Sequence, residues 1–200
     1  MSDVNEVARS GIDDTTRFLI YPAAIYVLQQ LFTGFFKLRG ALRERSVLVT
    51  GLIDEIKSIQ KTNSSHRVTF SNAVSTNLFA KRIEESATYY PYISIGDGKN
   101  IVFDGNAERL PFFLNPDAFN KVVEFYDTYA LLIASLKGMH NSAFKELSAE
   151  RKLNALRNIS DVFEELFSQM PALLDILENE HRRLTSRSVL WHLTGLSLRW

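Results

Sequence analysis

Between Phe18 and Phe36 the chain reads FLIYPAAIYVLQQLFTGFF, nineteen residues without one charged side chain. As a helix this stretch rises about 28 Å, close to the ~30 Å hydrocarbon core of a bilayer. Its only strongly polar side chains are Gln29, Gln30 and Thr33. Pro22 falls near the first turn, where a missing amide proton costs little. Lys37, Arg39, Arg43 and Arg45 follow at once, opposed only by Glu44. The residues before the stretch carry Asp3, Glu6, Asp13 and Asp14 against Arg9 and Arg17. Lysine and arginine collect on the cytosolic side of membrane spans. The pattern therefore predicts a single-pass transmembrane helix over 18–36, with Lys37, Arg39, Arg43 and Arg45 as its membrane-flanking residues. It places the short N-terminus outside and the rest in the cytosol. The acidic lead and the lack of a small-x-small site argue against a cleaved signal peptide. A second reading stays open: 18–36 as the buried core helix of a soluble bundle, which can be apolar on every side.

Two hundred residues suit one domain with appendages. The 23 basic and 23 acidic side chains cancel, so the overall charge gives no reason to expect a nucleic-acid partner. With no cysteine in the chain, disulfides, thiolate nucleophiles and cysteine-bearing zinc sites are excluded.

Beyond the apolar run the pattern is helical. Val47, Leu48, Leu52, Ile53, Ile56 and Ile59 recur at three and four residues, predicting a stalk helix over 37–61. KTNSSH, 61–66, has only polar cap and turn formers and reads as a break. Residues 67–87 fit a helical stripe loosely. Tyr92–Ile95 and Ile101–Phe103 are β-prone around GDGK, which predicts a short hairpin-like excursion, or an ordered loop, near 90–104. At 114–138 the signals are clearest. Asn115 can cap a helix, Pro116 suits its first position, Asp117 complements the positive end, and Gly138 closes it. From about Ser142 or Ser148 to Leu184 runs another long helical region, in which Leu153, Leu156, Ile159, Phe163, Leu166, Met170, Leu173 and Leu177 form a heptad-like seam. Pro171 should kink that helix or mark its end. The expected fold is all-α: a transmembrane and stalk helix, then an antiparallel helical bundle over 62–184. The tail 185–200 is basic and amphipathic. Arg187, Trp191 and Trp200 there suit a membrane interface, or a terminal helix docked on the bundle.

No catalytic, cofactor or metal motif stands out. His66, His140, His181 and His192 are scattered, with no HxxxH or HExxH pair. SIGDGKN, 94–100, lacks the glycine spacing and the Lys-Ser/Thr step of a phosphate loop and reads as a turn. Glu84/Glu85, Glu164/Glu165 and Glu178/Glu180 sit beside basic residues and read as solvated helix faces. Tyr89, Tyr90 and Tyr92 flank Pro91 as an aromatic cluster suited to packing a loop onto helices. An enzyme with a dispersed site stays open if a pocket gathers His66, Tyr90, Asp97 or Lys99.

The segment YYPYISI…NIVFDGNAERLPFFLNPDAFNKVVEFYDTY resembles the middle of a group of small bacterial membrane proteins without assigned function. The matching residues are Val102, Phe103, Asp104, Asn106, Ala107, Leu110, Leu114, Val122, Val123, Phe125 and Tyr126, with the upstream step LIDEI at Leu52–Ile56. The likeness covers about residues 15–180 and departs at Pro111-Phe112-Phe113 and at the tryptophan-containing tail. It implies a single-pass anchor in a bacterial plasma membrane with a helical cytosolic domain, and supplies no catalytic residue, substrate or cofactor. The expected partners are the lipid bilayer and a protein, or a second copy, packed through helices.

Overall fold

The computed structural model describes residues 4–93 and 100–186, with side chains for 25–93 and 100–185. All secondary structure among them is helical: α1 Val4–Ser75, α2 Leu78–Glu85, α3 Ile101–Asn106, α4 Leu110–Phe113, α5 Pro116–Met139, α6 Ser142–Lys145 and α7 Ala149–Ser186. The chain divides into two compact units. One comprises residues 1–45 with 185–200, the other residues 46–184.

In the first unit, side chains are described from Ile25 on. Ile25, Tyr26, Val27, Leu28, Leu31, Phe32 and Phe36 are each more than half exposed. Burial of this run in a core, the second reading, does not hold for residues 25–36. Nor is the membrane span met there: among the described residues no helix is long and apolar enough to cross a membrane. Twelve residues of helix rise only about 18 Å. The tail residues Arg187, Trp191 and Trp200 lie outside the described residues.

The second unit is a bundle of three long helices: α1 from Ser46 on, α5 and α7. Lys57 reaches Glu178 at 3.0 Å and Arg67 reaches Glu164 at 2.5 Å, so α7 runs antiparallel to α1. Asn115–Glu180 at 2.5 Å and Thr128–Gln169 at 3.3 Å make α7 antiparallel to α5 as well. Helices α1 and α5 are therefore parallel, and residues 76–115, with α2, α3 and α4, bring the chain back to its starting pole. The core lies where the stripes meet: Leu52, Ile56 and Phe70 of α1, Val122, Phe125 and Leu132 of α5, Leu156, Phe163, Leu166 and Leu177 of α7. Residues 48–59, expected in a stalk, already belong to it.

Several local expectations are corrected. No break occurs at 61–66, because side chains bond back along the helix instead of diverting it: Asn63 Nδ2 donates to the Ile59 carbonyl at 2.9 Å and Thr69 to that of Ser65 at 2.9 Å. Helix α1 stops instead at Asn77, whose φ of 53° puts it in the left-handed region that asparagine tolerates. No hairpin is seen among the described residues of 90–104: Tyr89–Ile93 is no strand and Ile101–Phe103 opens helix α3, while residues 94–99, with GDGK and half of the first expected strand, lie outside the described residues. Helix α7 continues through the exposed Pro171, since its seam is held on both sides of that residue. The α5 cap is as expected: Asn115 Oδ1 accepts from the Ala118 amide at 2.8 Å, with Pro116 first and Asp117 next.

Candidate functional site

Three polar nodes are built into the second unit. The first centres on Glu55 of α1, which is half-buried. Its Oε1 accepts from the Val102 amide at 2.9 Å. Its Oε2 accepts from the Phe103 amide at 3.2 Å and the Tyr126 hydroxyl at 2.6 Å. Asn100, before α3, makes no side-chain cap, so Glu55 satisfies amides that would otherwise lack helical partners. Phe103 stacks on Tyr126 with centroids 4.0 Å apart and planes 13° apart. Val102 packs on Gly51, where a Cβ would stand 3.2 Å from its Cγ1. Burial, then the Glu55 hydrogen bond, pushes the Tyr126 phenol far above its usual range. The hydroxyl is thus held as a donor to the Glu55 carboxylate.

The second node is Lys152, 1% exposed, the first residue of the α7 seam. Its ammonium donates to the Ala87 carbonyl, past α2, and to the Lys145 carbonyl, at the end of α6, at 2.7 Å. Beside this tie the connection packs on α5: Tyr90 and Tyr92 meet the His140 ring edge-to-face at 5.9 and 5.5 Å. Lys145 lies 4.7 Å over Tyr90. Replacing Lys152 by methionine keeps the packing but orphans two carbonyls. We expect a loss of about 2 kcal/mol, read by urea denaturation of the full chain, with an unchanged slope.

The third node is Glu180, 5% exposed. It accepts from Asn115 Nδ2 at 2.5 Å and Arg183 Nη1 at 2.8 Å, so this carboxylate is no solvated helix face. Glu164 is a partner too: Arg67, bonded to it in two-pronged fashion, holds its carboxyl below the usual value. Both side chains are about half exposed, so the pair is worth under about 1 kcal/mol.

Among the flanking residues, Lys37, Arg39 and Arg43 are exposed on α1 and Arg45 is half-buried. His66, His140 and His181 stand on different elements, and no group of three or more metal-ligating side chains exists among the described residues. Asp97, Lys99 and His192 fall outside them. Sequence reasoning missed Lys152 and Glu180, although both continue the three-and-four step of the α7 seam at its ends. Glu55 and Tyr126 carried no chemical signal of their own.

This is the arrangement of an all-α domain whose polar groups tie helices and loops together. Comparison with family models, with curated proteins and with solved structures gives no match.

Proposed function

We propose that the chain is a membrane-anchored helical module whose bundle serves protein interaction or scaffolding at the cytoplasmic face of a bacterial plasma membrane. The observation that carries this reading is the exposed apolar run. Ile25, Tyr26, Val27 and Leu28 are all exposed. Consecutive helical positions step by about 100° around the axis, so these four leave apolar surface on every side. Exposed apolar area costs about 25 cal/mol per Å² in water, and lipid removes that cost over the whole circumference. The uncharged residues 18–24 would extend the run to bilayer length, and Lys37, Arg39, Arg43 and Arg45 would stay on the cytosolic side. The likeness to small bacterial single-pass proteins supports the same reading.

Fractionation tests the anchor. The full chain is expected to stay in the membrane pellet through a carbonate wash and to leave it with detergent. Recovery of intact protein in the soluble fraction without detergent would overturn the proposal. The chain lacks cysteine, so orientation is readable from Lys61→Cys alone, at an exposed position of α1. An impermeant maleimide should label it only after the cells are opened.

A further inference from the structure

The register of α5 against α7, fixed by Asn115–Glu180 and Thr128–Gln169, continues toward the end of α5. There Leu131, Ser135 and Gly138 of α5 and Val162, Asn158 and Ala155 of α7 border one hollow. These residues line a cavity of about 610 Å³. Its apolar floor is formed by Met139, Phe144 and Ile159, all buried. The hollow exists because the residues at its middle levels are small. A Cβ built on Gly138 meets nothing within 4 Å, although alanine would favour the helix by about 1 kcal/mol.

We propose that this cavity binds a neutral single-chain lipid: a long alkyl chain ending in a hydroxyl-type head group. Its volume falls within the ~300–1,000 Å³ of small-molecule sites. None of its lining residues is charged, so a carboxylate or ammonium head would find no counter-charge among them. The polar lining is confined to Ser135, Asn141 and Asn158. Asn141 Oδ1 already accepts from the Ala143 amide as the cap of α6. The Ser135 hydroxyl and the exposed Asn158 amide are thus placed to receive the head group near the mouth, with the chain against Met139, Ile159 and Phe144. A protein partner fits less well, since a stable interface needs about 800 Å² on each side, more than this hollow between two turns of α5 and α7 presents.

The test uses the full chain in detergent and a photoactivatable long-chain alcohol carrying a diazirine. After illumination, peptides spanning 131–147 and 155–162 are expected to carry the label, and excess dodecanol should compete it away. Gly138→Trp, which fills the hollow, should reduce labelling there about tenfold. Labelling of peptides within 18–36 should stay unchanged, as an internal measure of non-specific uptake. Gly138→Leu, a smaller intrusion, should give a partial loss if the tryptophan variant does not fold. Label confined to 18–36, label at 131–162 that dodecanol fails to displace, or label indifferent to both substitutions would overturn the proposal. None of these outcomes depends on the anchor being correct, so the two readings fail separately.

Discussion

Phe70→Ala is expected to remove about 4 kcal/mol from the stability of the second unit, measured as a fall in the urea midpoint of the full chain. Phe70 is fully buried in the core of the second unit. Its ring meets Phe79 of α2 edge-on at 5.3 Å and Phe163 of α7 at 5.5 Å, tilted by 45°. Truncation removes both aromatic contacts and leaves a void among residues held in helices that cannot readily close over it. Domains of this size carry only about 5–15 kcal/mol in total, so the variant should sit near its unfolding transition at moderate temperature. Phe70→Leu, which keeps most of the volume, is expected to cost less than half as much. Equal losses from the two would show that the site does not depend on the ring.

Glu55→Ala is expected to cost about 3 kcal/mol, because it strands the buried Tyr126 hydroxyl and the Val102 and Phe103 amides together. Amide exchange should show the loss where it acts, as lost protection at Val102 and Phe103 before the long helices open. Glu55→Gln keeps an acceptor but sets an amide donor against one of the three, and about 1 kcal/mol should go. Tyr126 adds a pH signature. Its folded pKa is raised, so its contribution is whole below the ordinary tyrosine value and is lost progressively as pH rises above it. Tyr126→Phe should therefore flatten the alkaline fall in stability while leaving the neutral-to-acid profile unchanged. A wild-type chain with no such slope would contradict the buried, carboxylate-bonded phenol.

How much of this was legible in the sequence differs from element to element. Helix α5 could be read almost to the residue, because Asn115, Pro116 and Asp117 act locally and do in the fold what their chemistry favours alone. The α7 seam was equally plain from Leu156 to Leu177. Its polar ends were not, since a lysine or glutamate at a core step gives no sign that a carbonyl or an asparagine waits opposite. The stretch 61–66 misled because its polar residues bond to the preceding turn of a helix already held by tertiary packing. Ile101–Phe103 has strand-forming side chains, and the caps that make it helical come from Glu55, nearly fifty positions earlier in the chain. For the candidate cavity, nothing in sequence distinguishes Gly138 as a helix terminator from Gly138 as the wall of a hollow. Only the pairing of α5 with α7 separates the two.

Ser46 and His181 approach to 3.4 Å, Oγ to Nδ1, so the bundle begins and finishes its path at a single pole. A unit whose entry and exit lie side by side can be spliced into a surface loop of another protein without stretching either strand of the host. New termini could be opened at the far pole, near Asn77, with Ser46 and Leu184 joined by a short linker. The same adjacency means that a pull applied through both ends would peel α1 from α7 starting at one edge, one turn at a time, rather than shear the whole seam at once.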